Sequence, residues 1–372
     1  MADTHPGDGK PRFASDSKSG MITRRFVRNA WYCLAWADEV GAEKVIGRKI
    51  LGEPIALFRR SDGTLAAVED RCPHRFAPLS MGRVVGGDRL QCAYHGLELD
   101  GAGNCTKNPH PPANIPTRAR VKSYPVVEKH KAIWVWMGDR AADPAKVPDF
   151  SVLDDAPPLL AMKLDKIMIA ANYELIVDNL LDLSHTAFVH EGILGNADIV
   201  DSDIAVELDG DDVIVSRKAG NAEIPGMSAL QWPGHPARID KLTRIRWMAP
   251  STLNLMVGVS EIGQSCETGV GYHAIHILTP ETERTTHYFF TGVRFGSRTT
   301  DEALNREISA KVEAMRRFAF EEQDAPIIEA QQRGIEDAGV DLQPLTLSID
   351  AGPVRYKQVL TRLLETELKP SR

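Results

Sequence analysis

Between Phe26 and about Trp136, apolar residues come in short, strand-length runs separated by turn formers. Residues 45–59 and 64–68 flank Ser61-Asp62-Gly63, which predicts a hairpin. Residues 90–99 run into a second turn at Asp100-Gly101-Ala102-Gly103. Residues 123–127 and 132–136 complete a small all-β unit. Pro144, Pro148, Pro157 and Pro158 then punctuate a linker-like stretch. Beyond it the period lengthens: Leu175, Ile176, Leu180, Leu183 and Phe188 predict a helix over 172–190. Strand patterns follow at 204–208, 213–217, 244–248, 253–259, 272–278 and 287–294. Residues 301–332 form a long helical pattern with Gly334 as its expected stop. Strands with segregated helices predict an α+β second domain. The expected division is a flexible polar tail at 1–23, a β-sandwich at 24–145 and the α+β domain at 146–372.

Composition narrows the partners. Lys and Arg number 44 against 51 Asp and Glu, a net charge of −7, which disfavours a broad nucleic-acid footprint. No apolar run approaches the ~20 residues needed to span a bilayer, and the tail lacks the apolar stretch of a secretory signal. Five cysteines in 372 residues do not make a disulfide scaffold. The expectation is a soluble cytoplasmic protein.

Cys72-Pro73-His74 and Cys92-Ala93-Tyr94-His95 form a four-ligand set, with seventeen residues between His74 and Cys92. Two readings compete. A closed zinc site takes two thiolates and two imidazoles. A Rieske [2Fe–2S] cluster needs the same donors, two cysteines on one iron and two histidines on the other. One Cys and one His from each loop suits the cluster, because each loop then supplies a ligand to each iron. Zinc fingers more often pair Cys with Cys and His with His.

A second constellation lies at Asp178, Asp182, His185 and His190. On a helix, Asp178, Asp182 and His185 share one face. His190 falls about 140° round from His185, so the two rings can meet one metal only if the helix loosens or ends, as Gly192 suggests. Two histidines and a carboxylate make the facial triad of non-haem Fe(II) oxygenases, which leaves positions open for O₂. Glu321, Glu322 and Asp324 are the candidate third ligands. Pro326 argues against an undisturbed helical turn around them. An electron-transfer cluster also needs an acceptor, so each constellation strengthens the other.

From Phe26 to about Pro344 the chain resembles the Rieske non-haem iron oxygenases, terminal oxygenase component, in particular the dicamba and vanillate O-demethylase group. The resemblance rests on Phe26-Val27-Arg28-Asn29-Ala30-Trp31-Tyr32, on Cys72 to Ser80, on Tyr94-His95-Gly96-Leu97-Glu98, on Val177 to His190 and on His276 to Glu283. It implies a Rieske β-sandwich followed by a helix-grip catalytic domain, in a head-to-tail homotrimer. It also implies that Cys72, His74, Cys92 and His95 hold the cluster and that His185, His190 and Asp324 hold mononuclear Fe(II). Asp182 would link a cluster histidine of the neighbouring subunit to an iron-ligating histidine. Asn254 and His276 match substrate contacts by local similarity. At the place of an aromatic nine residues before the ligand aspartate, this chain has Met315.

The implied reaction is oxidative O-demethylation of a small aromatic substrate with O₂. Gly101-x-Gly103 and Gly269-x-Gly271 lack the third glycine of a dinucleotide fingerprint. Electrons from NAD(P)H must therefore arrive through a flavin-dependent reductase, with or without a ferredoxin. Within the class the alternatives are N-dealkylation of an anilide or amide, then ring hydroxylation. From a different class, the alternative is an electron-transfer or iron-sensing protein, which would not need the second constellation.

Overall fold

The computed structural model describes residues 22–200, 202–338 and 344–367. Residues 1–21 of the expected tail lie outside the described residues.

The N-terminal domain is built from three small antiparallel sheets. The first joins β1 (Ala30–Trp36), β11 (Ala132–Met137) and β10 (Val126–Lys129). The second is β2 (Val45–Ile50), β3 (Glu53–Arg59), β4 (Leu65–Glu69) and β9 (Ser123–Tyr124). Residues 45–59 are thus two strands rather than one, folded at Leu51-Gly52, where both residues take positive φ. The third sheet is β5 (Arg83–Val85), β6 (Arg89–Gln91), β7 (Glu98–Leu99) and β8 (Cys105–Lys107). The expected single run at 90–99 is interrupted, because residues 92–97 leave the ladder to form a loop.

The C-terminal domain carries one seven-stranded antiparallel sheet. Its order is β12 (Asp165–Ile169), β18 (Thr285–Phe295), β17 (Val270–Thr282), β16 (Thr252–Ser260), β15 (Arg238–Met248), β14 (Asp212–Glu223) and β13 (Ile204–Asp209). The helices are α1 (Tyr173–Leu181), α2 (Ala197–Val200), α3 (Gly226–Gln231), α4 (Glu302–Phe318), α5 (Ala325–Ala338) and α6 (Ala351–Glu367). None of the described helices is long and apolar enough to cross a membrane.

Side-chain alternation along β17 explains how the two domains meet. Ile275 and Ile277 point to one face, where they join Phe289, Trp31, Trp36, Trp134 and Trp136 in a core shared by both domains. The Trp36 ring meets Phe289 edge-on at 5.8 Å, and its indole N–H donates to the Asp165 carbonyl at 2.9 Å. An aromatic side chain buries roughly 150–250 Å², about 4–6 kcal/mol of transfer free energy each before ordering costs. Several of them across one contact make the domains a single packed body. The other face of β17 carries Tyr272, Ala274, His276 and Leu278, and α1, α5 and α6 cover this side of the sheet.

Two helices depart from expectation. The helix predicted over 172–190 ends at Leu181, where Asp182 turns extended with ψ 91°. Ser184 N–H then bonds the Asp182 carboxylate at 2.8 Å, and His185–Ala187 form a separate single turn. The pattern over 301–332 is not one helix either: α4 and α5 are joined by a π turn at Ala319–Asp324. Pro326 has no N–H to bond the carbonyl four residues back, and its ring crowds that carbonyl, so the turn widens. Gly334 does not stop the helix but sits inside α5.

Candidate metal centre

The two loops of the Rieske-like domain share one hydrogen-bond pattern. Cys72 N–H donates to the Ala77 carbonyl at 2.8 Å, and Phe76 N–H returns to the Cys72 carbonyl at 2.9 Å. Cys92 N–H donates to the Leu97 carbonyl at 2.8 Å, and Gly96 N–H returns to Cys92 at 3.0 Å. In each loop the fourth residue after the cysteine has positive φ, 58° at Phe76 and 71° at Gly96. Glycine adopts that conformation freely; phenylalanine does so at a cost. Both cysteines are buried, whereas His74 is exposed and His95 half-buried, with ring centroids 4.7 Å apart. Burial pushes the Cys72 thiol above its ordinary range, and the adjacent Cys92 adds to this against the backbone N–H groups of His74 and Arg75. Two buried sulfurs under two surface imidazoles fit a two-iron cluster with a cysteine side and a histidine side.

In the catalytic domain His185, His190 and Asp324 converge, each offering a ligand atom within 4.8 Å of the others. Asp324 Oδ1 lies 3.1 Å from His190 Nε2 and 3.7 Å from His185 Nε2. Each histidine is anchored at its other nitrogen. His190 Nδ1 is 2.9 Å from Gln323 Oε1, and His185 Nδ1 contacts the Asp182 backbone carbonyl. Both acceptors are carbonyl oxygens, so each Nδ1 is the donor there and each Nε2 is directed at Asp324, where it can give up its proton to present a lone pair to a metal. A metal-binding histidine needs that tautomer. Burial alone would lower the His190 pKa, but the Asp324 carboxylate and Gln323 hold it above its ordinary value. The donor set fits a mononuclear iron. The early end of α1 and the π turn are what bring the three together. Glu321 instead pairs with Arg317 at 2.7 Å on the surface, and Glu322 is exposed.

Several residues fall elsewhere than expected. Asp178 pairs with Lys357 at 2.6 Å, though it still borders one open groove with Asp182 and His185. Asp182 touches His185 through its backbone carbonyl, not its carboxylate. Asn254 pairs with Ile275 across β16 and β17 and so occupies the face opposite His276, away from the cavity. His276 does line the cavity beside the triad, with Leu255, Val257, Tyr272 and Phe320. Its Nδ1 meets the Tyr288 hydroxyl at 2.7 Å, while its buried Nε2 has no hydrogen-bond partner among the described residues. Burial, aided by Arg316, lowers its pKa to about 3, so the ring is neutral at neutral pH. Met315 does not line this cavity; Phe320, four residues before Asp324, supplies the aromatic wall.

Sequence reasoning gave no role to Gln323 or Asn179. The Asn179 amide donates to Asp324 Oδ1 at 3.1 Å. Lys241 and Arg217, both buried and both lining the cavity, were also missed.

Residues 30–125 match the Rieske [2Fe-2S] domain family, and residues 169–366 match the vanillate O-demethylase oxygenase C-terminal domain family. The chain is 37% identical to the dicamba O-demethylase oxygenase component of Stenotrophomonas maltophilia, over 92% of this chain and 99% of that one. It is 34% identical to the chloroacetanilide N-alkylformylase oxygenase component of Rhizorhabdus wittichii, over 93% and 97%. The crystal structure of dicamba monooxygenase bound to 3,6-dichlorosalicylic acid superposes with a TM-score of 0.84 at 36% identity, covering 92% of this chain and 98% of that one. The same enzyme has been solved with non-heme iron and dicamba, at a TM-score of 0.76, 35% identity and the same coverage. A Rieske [2Fe–2S] cluster and a mononuclear iron are the cofactors of this fold. With both domain matches, full-length relatives and two fitting donor sets in hand, the chain belongs to the Rieske non-haem iron oxygenases, as a monooxygenase of the vanillate O-demethylase oxygenase type.

Proposed function

We propose that this protein is the terminal oxygenase of a system that O-demethylates a small aromatic substrate. In this reading Cys72, His74, Cys92 and His95 hold the cluster, and His185, His190 and Asp324 hold the iron. The domains are taken as 24–145 and 146–372. The convergence of His185, His190 and Asp324 beside a largely apolar cavity carries the reading.

When bound, the two metal groups supply electron delivery and O₂ activation. The chain's own residues do the rest. Leu255, Val257, Tyr272 and Phe320 provide an apolar bed that excludes water from the reacting carbon. Neutral His276 offers a substrate oxygen a hydrogen bond through Nε2. Hydroxylation of the methyl gives a hemiacetal that collapses, so that ArOCH₃, O₂, two electrons and two protons yield ArOH, formaldehyde and water. The electrons come from NAD(P)H through a flavin-dependent reductase, with or without a ferredoxin. A cytoplasmic location, beside that cofactor pool, suits the scheme.

Exposed Phe76 and Tyr94 flank the histidine edge of the cluster loops, and an open groove bordered by Asp182 and His185 flanks the triad. These two surfaces support a head-to-tail homotrimer in which one chain's cluster edge docks beside the next chain's triad. Asp182 would then carry the connection between them.

N-dealkylation is the second reading, favoured by the similarity to the N-alkylformylase. The test supplies holoenzyme with NADH, a surrogate reductase and panels of aryl methyl ethers and N-alkyl anilides. Formaldehyde from the ethers supports O-demethylation. Aldehyde from the anilides alone transfers the function to N-dealkylation, and NADH oxidation without organic product from either panel overturns both.

A further inference from the structure

Tyr288 sits on β18 two positions before Phe290, the residue directly opposite His276 on β17. It therefore reaches the His276 ring diagonally across the ladder. Both side chains are buried. Their ring centroids are 5.9 Å apart, and Phe320 of the π turn packs against both, 5.4 Å from Tyr288 and 5.5 Å from His276. Held in this way, the Tyr288 hydroxyl lies 2.7 Å from His276 Nδ1. Among the described residues it has no other hydrogen-bond partner.

Two protons must be placed on this pair. Burial, with the Asp324 carboxylate adding to it against Arg316, raises the Tyr288 pKa well above its ordinary value, so the hydroxyl keeps its proton. His276 is neutral and carries one ring proton. On Nδ1 that proton would point at the Tyr288 oxygen. The phenol proton would then lack an acceptor, and Nε2 would be an unused lone pair as well. With the hydroxyl donating to Nδ1, only Nε2–H is left over, and a bound molecule can accept from it. One buried group left unmade costs less than two. The iron ligands show the contrast. At His185 and His190 the Nδ1 partner is a carbonyl oxygen, which can only accept, so Nε2 is left for a metal. At His276 the partner is a hydroxyl, which can donate, and the ring takes the opposite tautomer.

We propose that Tyr288 is a positioning residue: its hydroxyl donates to His276 Nδ1 and fixes His276 as a neutral Nε2–H donor in the wall of the cavity. In that tautomer Nε2 presents no lone pair, so a third histidine lines the cavity beside the triad without competing for its metal. The proposal takes from the oxygenase reading only that this cavity receives the substrate. It adds the residue that decides what His276 can do there.

Two measurements test it. Neutron diffraction from crystals of deuterium-exchanged holoenzyme should show a deuteron on His276 Nε2, none on Nδ1, and the Tyr288 hydroxyl deuteron directed at Nδ1. A deuteron on Nδ1 would overturn the proposal. Equilibrium dialysis with holoenzyme then compares the 2-, 3- and 4-methoxyacetophenones with the matching isopropenylanisoles, which keep the shape but lack the carbonyl acceptor. At least one ketone should bind about fivefold or more tightly than its alkene, within the range of a buried neutral hydrogen bond. Tyr288→Phe should cut that preference to about twofold or less and leave alkene affinity within about twofold, because the ring keeps its packing and loses only what fixes its proton. No ketone preference in the wild type, or an unchanged one in Tyr288→Phe, would overturn the proposal. So would ketones and alkenes weakened alike, the result expected of a tyrosine that merely packs. If Tyr288→Phe does not fold, the neutron map decides. Formaldehyde release is scored separately: the expected tautomer and preference without formaldehyde remove the O-demethylase reading alone, whereas formaldehyde with a deuteron on Nδ1 removes the Tyr288 assignment alone.

Discussion

The Asn179 side chain, on α1, donates to Asp324 Oδ1 at 3.1 Å across 145 residues of chain. This single hydrogen bond ties the helix that leads to both histidines to the π turn that carries the carboxylate. It also occupies one lone pair on the oxygen nearest both imidazoles, and so sets which way that carboxylate can approach a metal.

Asn179→Ala should therefore loosen the triad without touching the cluster. Partners of this kind are worth about 10–100-fold in metal affinity. Fe(II) titration of the variant should show a loss in that range, with the visible spectrum of the cluster unchanged. Unaltered iron affinity would make Asn179 a packing residue only.

Asp324→Ala should lose the mononuclear iron and all product formation while retaining the cluster spectrum. Glu321→Ala should retain both, because Glu321 is spent on a surface pair with Arg317, worth about 0–1 kcal/mol. Iron analysis of the two purified variants separates them. Iron loss in Glu321→Ala with retention in Asp324→Ala would reverse the ligand assignment.

Asp182→Asn should keep both metal sites. The backbone carbonyl, not the carboxylate, meets His185, and the amide oxygen of Asn can still accept from Ser184 N–H. Steady-state turnover should nevertheless fall by about 100-fold or more if the carboxylate carries the inter-subunit connection, in line with losses at buried charged contacts. Single-turnover chemistry with pre-reduced iron should survive better than steady-state turnover. Normal turnover with NADH would make Asp182 a turn-capping residue.

Glu174 gives a pH-dependent stability. It is fully buried on α1, accepts from Thr23, and burial raises its pKa to about 7 despite Lys357 and Thr23. A folded pKa above the unfolded one stabilises the protein at low pH. The contribution is complete below about 4.5 and is lost as pH rises through about 7. Glu174→Gln removes the ionisation, so the variant should gain on wild type between pH 5 and pH 8, by at most about 3 kcal/mol. Urea midpoints at the two pH values check this. A constant difference across the range would show that Glu174 does not titrate there.

Much of the metal chemistry was legible in the sequence because ligand identity is local. Cys72-x-His74 and Cys92-x-x-His95 stand on short loops whose own hydrogen bonds fix their shape, and two-residue and three-residue spacings survive any rearrangement of the rest. His185 and His190 were legible as donors for the same reason. Six strand positions in the second domain also followed from local alternation, since a strand's side chains must face either core or solvent; the edge strand β12 (Asp165–Ile169) did not. Three matters depended on distant contacts. Helix α1 ends at Leu181 although apolar spacing continues to Phe188, because Asp182 bonds Ser184 instead of extending the helix. Asn254 and His276 looked equivalent in sequence, yet the antiparallel register puts them on opposite faces of one sheet, and a one-residue difference in phase decides that. Asn179 and Gln323 gained roles only when α1 and the π turn closed around one cavity. A lone polar residue carries no local signal of what will face it; the partner, and with it the pKa and the chemistry, is chosen when the elements pack.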